Sequence, residues 1–413
     1  MSPKLLAMYL PQYYPFPEND AWWGKGFTEW TNVTKAVPSF DRHYQPHLPT
    51  DFGFYDLRVR QTRREQIEVA KAHGIDGFCY HYYWFSGKRL LDVPVDDMLA
   101  DKESDMPFCL CWANENWTRR WDASESEILI AQEFGPDDDR NFIDDLLPFL
   151  NDPRYIRVGD APLLIVYRPQ NLPDVKKSIQ VWRDRCREKG INNIFLVAAL
   201  THGNDSYEDV GFDAGLQFPP HNLREANWSR NFDLSNQIEF YEEFSGSVYD
   251  LSDLAEFYLN LEYNEPTVFP TVSPCWDNTP RMGPRAQIFL NGTPENYEYW
   301  LRSALEKVRR EMPGDRQFVF INAWNEWAEG CHLEPDRRYG RQFLDATLRV
   351  KQGTSQVDHF AHRGYVPQNE FATSVGRQST GRLGRTPSPM TVSKLIKEIK
   401  RLGSQLKRRF GGW

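Results

Sequence analysis

Two glutamates three residues apart, Glu326 and Glu329, are the side chains best suited to acid–base chemistry in this chain. On an extended strand they would point to opposite faces, so they can share a pocket only if the strand ends between them and the chain turns. Gly330 supplies a backbone that permits such a turn. In a partly dry cleft, two neighbouring carboxylates acquire separate pKa values, so that one acts as base and the other as acid. That pair could cleave or form a glycosidic bond. The alternative is that both glutamates only pair with arginines or cap nearby helices.

Two other acids compete for a role in the same chemistry. Glu115 stands in the segment NENW and Glu29 in GFTEW. Either could accept a hydrogen bond from a sugar hydroxyl, and either could equally hold a loop. The remaining acidic and histidine patterns are weak metal candidates. The acids 137–139 open a predicted helix, where they favour the helix dipole, and the His359-x-x-His362 spacing lacks a third ligand. We therefore expect no metal and no cofactor.

Eight short apolar runs alternate with stretches of helical pattern, and these elements must position the acids. The runs are 5–11, 77–85, 108–115, 162–169, 193–200, 214–221, 267–274 and 318–327. The helix candidates are 57–73, 90–100, 138–150, 174–189, 252–261, 294–311 and 341–351. Continuously apolar strands separated by helices indicate a parallel sheet covered on both faces. Eight such units predict an α/β fold, a (β/α)8 TIM barrel with long βα loops. The competing open sheet would place a Gly-rich turn after its first strand, and a long aromatic loop stands there instead.

Aromatic and polar residues collect at the predicted strand ends, where a barrel of this kind has its active site. Trp and Tyr combine a flat apolar face with a polar edge, which suits stacking on sugar rings. We predict that Glu29 and Glu115 line a sugar cleft together with Tyr13, Trp30, Tyr82, Tyr83, Trp84, Trp112, Asn114, Trp117, Tyr167, Trp276, Asn325 and Trp327.

The charge distribution divides the chain. Residues 376–413 carry ten basic residues and one acid, a net charge of +9, whereas the first 375 residues carry 39 basic and 57 acidic residues, a net of −18. An acidic body is unsuited to nucleic acid. We assign 1–352 to the catalytic barrel, 353–391 to an extension and linker, and 392–413 to a basic amphipathic helix.

The basic segment 393–410 is typical of a helix that lies on an anionic membrane. The alternatives are a helix docked on the acidic body and a segment unfolded in solution. The chain has no run of about 20 apolar residues that could span a bilayer, and its first apolar run ends early, at Pro11, without a cleavage site. The six cysteines are scattered, as reduced core thiols would be. We expect a cytoplasmic protein, peripheral to the inner membrane if the tail binds there.

Four segments carry a resemblance to a known family. They are AMYLPQYYPFPENDAWWGKGFTEWTNV (7–33), GIDGFCYHYYWFSGKRLLD (74–92), CWANENWTRRWD (111–122) and INAWNEWAEGCHLEPD (321–336). Together they resemble the WbsX family, which is described as glycosyltransferase-like in bacterial O-antigen and polysaccharide gene clusters and as having a glycoside hydrolase family 99-like domain. The resemblance runs from about Lys4 to Leu348.

The resemblance implies a mechanism. Family 99 comprises (β/α)8 endo-α-mannosidases and endo-α-mannanases that act with retention and need no metal. Their two essential carboxylates lie three residues apart at the end of the last barrel strand. The first is thought to deprotonate the 2-hydroxyl of the substrate, giving a 1,2-anhydro sugar, and the second to protonate the leaving oxygen. By motif these correspond to Glu326 and Glu329 here.

The resemblance and the residues together predict an enzyme that processes or builds a surface polysaccharide of the O-antigen type, with an oligo- or polysaccharide as its partner. Retaining glycosidase and transglycosidase chemistry would use the same two glutamates. Two alternatives stay open. One is a sugar-nucleotide-dependent glycosyltransferase of lipopolysaccharide biosynthesis, although the sequence holds no convincing nucleotide motif. The other is a non-catalytic barrel that binds glycans.

Overall fold

A computed structural model describes residues 3–118, 128–204, 206–223, 228–263 and 267–365. Within them, eight parallel strands form a barrel, each paired with the next and the last paired with the first. The strands are β1 (Lys4–Tyr9), β2 (Gly77–Phe85), β3 (Phe108–Trp112), β4 (Ala161–Val166), β5 (Phe195–Leu200), β6 (Ala214–Gln217), β7 (Val268–Phe269 and Thr271–Val272) and β8 (Phe318–Ile321). The eight predicted runs and the TIM barrel are confirmed.

The seventh strand closes the ring in two halves. Val268–Phe269 pairs with β6, whereas Thr271–Val272 pairs with β8. Pro270, between them, has no N–H to give to a ladder, but its carbonyl accepts a hydrogen bond from the N–H of Phe320 at 2.9 Å. The break therefore lets one strand serve both neighbours.

Helices cover the outside of the barrel and shape its loops. They are α1 (Pro17–Trp23), α2 (Glu29–Lys35), α3 (Arg60–Ala72), α4 (Val93–Ala100), α5 (Asp138–Leu150), α6 (Val175–Glu188), α7 (Trp228–Phe232), α8 (Leu251–Asn260), α9 (Thr279–Met282), α10 (Pro294–Glu311) and α11 (Gln342–Gln352). All seven predicted helices are present, with ends shifted by a few residues.

Helix α10 shows why these segments are helical. The Thr293 hydroxyl oxygen accepts from the N–H of Asn296 at 3.3 Å, and Pro294 occupies the first turn, where its missing N–H costs nothing. Trp300, Leu301 and neighbouring apolar residues recur at helical spacing and are buried against the barrel. Burial of each such side chain contributes about 1.5–3 kcal/mol relative to exposure.

The long loops after β3 and after β6 contain further structure. In the first, Trp117–Thr118 pairs with Ile128–Ile130. The second contributes Ser247–Asp250 to a small sheet with Gln287–Leu290 and Trp276–Asp277. This sheet matters for the site because α9 begins directly after its strand Trp276–Asp277. Shorter strands elsewhere are Lys88–Leu90, Arg157–Val158, Asn325–Glu326 and Cys331–His332.

The chain beyond α11 follows the barrel surface as far as it is described. The Phe360 ring packs edge-on against Tyr299, with centroids 4.6 Å apart, and the Asn296 side-chain oxygen accepts from the N–H groups of Ala361 and His362. Residues 366–413, which include the predicted amphipathic helix, lie outside the described residues. In the described part of the chain, no helix combines the length and apolar character that crossing a membrane requires. All six cysteines are buried and free, as predicted.

Candidate active site

The chain turns between the two glutamates that follow β8. Asn325–Glu326 pairs antiparallel with Cys331–His332, and Trp327–Glu329 forms a single 3₁₀ turn between them. Gly330 ends that turn with a φ of 60° in the left-handed region. A Cβ there would lie 3.0 Å from the carbonyl oxygen of Asp277, so glycine is required both for the backbone and for the space. We predicted that both carboxylates could share a pocket only if the chain turned between them, and this turn is present.

Both carboxylates meet on Arg281, a residue of α9. Its Nη1 donates to Glu329 Oε1 at 2.7 Å and its Nη2 donates to Glu326 Oε1 at 3.0 Å. Nη2 also lies 3.4 Å from Oε2 of Glu29, the first residue of α2. The exposed fraction of the side chain is 2% for Glu29, 6% for Glu326, 12% for Arg281 and 25% for Glu329. Glu329 is therefore the carboxylate that a solute reaches first.

Sequence reasoning missed Arg281. Its helix has four residues, too few for a periodic pattern, and its partners are distant in the chain. The available signal was its position just after the end of β7, where barrel enzymes place functional side chains.

Burial and charge act in opposite directions on the glutamate pair. Burial raises the pKa of Glu326 well above its ordinary value, Arg281 lowers it, and the charges of Glu329 and Glu29 raise it further. The pKa of Glu329 is also raised, by burial above all, again against Arg281. One guanidinium cannot neutralise three carboxylates, so the cluster favours keeping a proton near neutral pH. An acid and a base can thus coexist in it.

Tyr13 and His81 border this cluster. The Tyr13 hydroxyl accepts from the N–H of Trp327 at 3.1 Å, and burial together with the charges of Glu326 and Glu29 raises its pKa. It therefore remains a neutral hydroxyl that can donate. Burial and the charge of Arg281 lower the pKa of His81 to about 4, so this imidazole is neutral at pH 7.

A second charged group lies beside the pair. Glu115 forms an ion pair with Arg168, whose Nη2 donates to His202 Nε2 at 2.8 Å. The charge of Glu115 raises the pKa of Glu329, which shows that the two carboxylates are within electrostatic reach of each other. The side chain of Asn114 accepts from the N–H of Arg168 at 2.8 Å and donates to its carbonyl at 2.7 Å, so it fixes the loop that carries this arginine.

Tyr167 lies on the same side of the barrel end as the Glu115–Arg168 pair. Its hydroxyl lies 3.0 Å from Nε2 of His221, whose pKa burial lowers to about 3. The charges of Glu115 and Glu329 both raise the pKa of Tyr167, after burial itself. Tyr167 is half-buried.

Three other predicted cleft residues brace the glutamate turn, residues 325–332, from behind. Trp327 is fully buried, and its indole N–H donates to Glu334 Oε2 at 2.7 Å. Trp30 packs against it with ring centroids 5.6 Å apart. Asn325 accepts from the N–H of Leu10 at 2.8 Å and donates to its carbonyl at 3.0 Å, which ties the turn to the end of β1. These residues set the position of the glutamates from beneath the cleft.

The structure does not bring Tyr82, Trp84 and Trp112 to the glutamates. They pack under the helices, where the Tyr82 hydroxyl bonds Asp145 of α5 and both tryptophans pack against Phe142. Successive side chains of a strand point to opposite faces. On β2 this alternation turns His81 and Tyr83 toward the barrel interior.

The remaining predicted residues line the edge of the site. The Tyr83 hydroxyl accepts from Gln12 Nε2 at 2.6 Å, and its ring meets Trp117 edge-on at 5.3 Å. Trp276 is buried, and its indole N–H has no hydrogen-bond partner among the described residues.

Glu334 is a further buried carboxylate that sequence reasoning did not single out. It accepts from Tyr55 at 2.8 Å, from Gln66 at 2.6 Å and from the Trp327 indole. Burial raises its pKa to about 7 in spite of these hydrogen bonds, which lower it. This residue links α3 to the underside of the glutamate turn.

Comparison with known proteins identifies relatives of the whole barrel. The profile of the family described as "Glycosyltransferase WbsX" matches residues 5–347. The chain is 45% identical over 346 residues to "Uncharacterized protein WxcX" of Xanthomonas campestris pv. campestris strain B100, and equally to that of strain ATCC 33913. Each match covers 84% of this chain and 49% of the relative, so the chain spans about half the length of the curated relatives it matches.

Solved structures confirm the fold. A "Glycoside hydrolase-like protein" superposes with a TM-score of 0.52 at 14% identity, covering 84% of this chain and 94% of that one. The GH99 endo-alpha-mannosidase from Bacteroides thetaiotaomicron gives a TM-score of 0.52 at 13% identity, covering 85% of this chain and 97% of that one.

Proposed function

Because the chain belongs to the WbsX glycosyltransferase family, we propose that it is a carbohydrate-active enzyme that processes or builds a bacterial surface polysaccharide of the O-antigen type. One observation carries the proposal: Glu29, Glu326 and Glu329 converge on Arg281 at the end of the barrel where such folds place their active sites. A polar cluster that only stabilised the fold would not need its outermost carboxylate to be one-quarter exposed.

In the proposed mechanism Glu326 is the base and Glu329 is the acid. Glu326 removes the proton of the sugar 2-hydroxyl, and the resulting oxygen attacks the anomeric carbon. The glycosidic bond breaks as Glu329 gives its proton to the leaving oxygen. Water or a second sugar hydroxyl then opens the 1,2-anhydro ring, losing a proton to Glu329 as Glu326 returns its proton to the 2-oxygen. The greater exposure of Glu329 fits contact with the leaving group, and the deeper position of Glu326 fits contact with the ring.

Arg281 has two roles in this scheme. Its charge stabilises the ionised form of the base while the pair exchanges protons. It also binds Oε1 of both carboxylates, which orients the pair and leaves the second oxygen of each for the sugar. The Glu115–Arg168 pair, with Tyr167 nearby, would bind the neighbouring sugar unit.

Hydrolysis and transfer differ only in the acceptor. The family description favours transfer, whereas the glutamate pair serves either reaction. The second candidate function is that of a sugar-nucleotide-dependent glycosyltransferase, which requires a sugar nucleotide as its donor. Turnover of a sugar nucleotide by the purified protein, with polysaccharide fragments as acceptor only, would replace the first candidate with the second.

The deciding experiment compares Glu326→Gln and Glu329→Gln with wild type on fragments of the host surface polysaccharide, with products read by mass spectrometry. We expect each variant to lose turnover by about 10²-fold or more. Glu298→Gln is the matched control, because Glu298 is a buried glutamate that pairs with Arg349 away from the site. Unchanged turnover in Glu329→Gln would reject the assignment. If the wild type shows no turnover and glycan binding survives both substitutions, the protein binds glycans without processing them.

The cytoplasmic location and the contact of residues 393–410 with an anionic membrane remain predictions. A chain ending at residue 375 should leave the membrane fraction if that segment is the anchor. Equal membrane recovery of the shortened and full chains would contradict it.

A further inference from the structure

A second cluster of ionisable side chains lies behind the glutamate turn. His47, from the loop after α2, approaches His332, at the end of this turn, and Asp336, which follows it. All three residues are buried, and each offers one ligand atom within 4.8 Å of the others. His47 Nδ1 lies 2.9 Å from His332 Nε2. The catalytic scheme uses none of these groups.

The hydrogen bonds of His332 fix its tautomer. Its Nδ1 lies 3.0 Å from the backbone carbonyl oxygen of Glu334, which can only accept. Nδ1 therefore carries the proton, and Nε2 presents a lone pair toward His47. Histidines that bind metals are held in this way, with the other ring nitrogen donating to a carbonyl or carboxylate.

The carboxylate and its neighbours complete the cluster. Asp336 Oδ1 accepts from the N–H groups of Arg338 at 3.0 Å and Tyr339 at 2.6 Å, which orients the group. The Tyr44 ring stacks on His47 with centroids 4.3 Å apart. The Tyr44 hydroxyl is buried beside the Asp336 carboxylate and interacts with it. Asp336 is the charge that most raises the pKa of Tyr44, after burial.

We propose that His47, His332 and Asp336 bind a divalent transition-metal ion, best matched by Zn²⁺. Two imidazole nitrogens and one carboxylate oxygen are ligands that Zn²⁺ prefers. A water molecule held by the Tyr44 hydroxyl supplies the fourth position. Two bonds of about 2.1 Å at a tetrahedral angle separate their nitrogens by about 3.4 Å. The two imidazoles therefore open from 2.9 Å by about 0.5 Å to admit the ion.

The nearby charges allow a cation. The carboxylate of Asp277 lies close by and accepts a hydrogen bond from Gln45 Nε2 at 2.7 Å. Its negative charge acts on His47. Asp277 is itself paired with His43 at 2.6 Å. Arg338 opposes the ion, because its charge also acts on His47. The carboxylates of Asp336 and Asp277 balance the charge of a divalent ion. Arg338 is exposed, so solvent screens its positive charge.

The position of the ion gives it a structural role. The His332 ring stacks on Trp327 with centroids 3.7 Å apart, and Trp327 lies between the two glutamates in the chain. The ion joins the loop that carries His47 to the turn that carries the pair. Its three ligand residues are buried and take no part in the proposed proton transfer, so this inference does not depend on the proposed function.

The test uses the full chain, purified without a polyhistidine tag. Chelator-treated protein is incubated with a tenfold excess of ZnCl₂, desalted and measured by mass spectrometry of its metal content and by thermal unfolding. We expect about one zinc per chain and a rise in Tm of about 3 °C or more. His47→Gln and Asp336→Asn should retain less than about one-fifth of that zinc. His73→Gln should retain all of it, because His73 is a buried histidine bonded to the Val69 carbonyl outside the cluster.

Other outcomes overturn the proposal. Wild type with less than about a tenth of a zinc per chain and an unchanged Tm would mean that the two imidazoles form only a hydrogen bond. Equal zinc in His47→Gln, Asp336→Asn and wild type would mean an adventitious ion elsewhere. Should the variants fail to fold, the zinc content and Tm of chelator-treated wild type decide the question alone.

Discussion

Replacing Arg281 with methionine removes the charge that Glu29, Glu326 and Glu329 share while keeping a long side chain in its place. We expect a loss of folding free energy that depends strongly on pH. At an effective dielectric constant of about 20, opposite unit charges about 3 Å apart attract by about 5 kcal/mol, and the three oxygens lie 2.7, 3.0 and 3.4 Å from the guanidinium nitrogens. Desolvation of the arginine offsets much of this attraction. The net cost of breaking such a buried pair is about 3–5 kcal/mol.

Protonation relieves part of that cost at low pH. Burial already raises the pKa of Glu326 and Glu329 above the unfolded value, and loss of Arg281 raises both further. A folded-state pKa above the unfolded one contributes stability below the unfolded pKa, about 4.3, and this contribution is lost as pH rises toward the folded pKa. In Arg281→Met each glutamate titrating in that window makes the slope of free energy against pH more negative by up to about 1.4 kcal/mol per pH unit.

The assay is denaturant unfolding followed by tryptophan fluorescence at several pH values between 5 and 8.5, which needs no substrate. The variant should be much less stable than wild type at pH 8.5 and closer to it at pH 5. Arg281→Lys keeps the charge and serves as the control, with a smaller loss at every pH. An equal loss of free energy at both ends of the range in Arg281→Met would refute the electrostatic reasoning and leave only a packing defect.

Three further predictions concern the surroundings of the pair. Gly330→Ala should lose about 1–2 kcal/mol of stability, since φ is 60° and the new Cβ would meet the Asp277 backbone at 3.0 Å; unchanged denaturant unfolding would contradict this. Wild type should lose stability between about pH 4.3 and 7 as Glu334, with a pKa of about 7, ionises. The pH dependence of Tm should be flatter in Glu334→Gln, and an unaltered slope would show that other groups cause it. Glu115→Gln frees Arg168 and should raise KM severalfold with a smaller change in kcat, measured on the substrate of the wild type; a selective loss of kcat would instead give Glu115 a role in the chemistry.

The fold was predictable because its signals are local. Continuous apolar runs marked the strands, and the Thr293-Pro294 start marked α10. The direction of the β2 side chains was not predictable. A period of two separates His81 and Tyr83 from Tyr82 and Trp84, but both faces of a barrel strand are buried and both sets are aromatic.

The turn between the two glutamates was also predictable from local sequence, since three residues and a glycine define it. The residues that contact this turn were not predictable in that way. Arg281 comes from a four-residue helix, and Glu29 from the opposite end of the chain. The contact between His47 and His332 spans 285 positions. Such contacts depend on how the closed barrel brings distant loops together, and no spacing within one segment reports them.

The charged cluster of the site draws its members from both ends of the chain. Glu29 leaves the ribosome early, Arg281 much later, and Glu326 only after β8, the strand that pairs with β1. Because chains emerge in order from the N-terminus, Glu29 is made before its counter-ion Arg281, and both are made before Glu326. The charged cluster is therefore complete only once β8 has been made and pairs with β1.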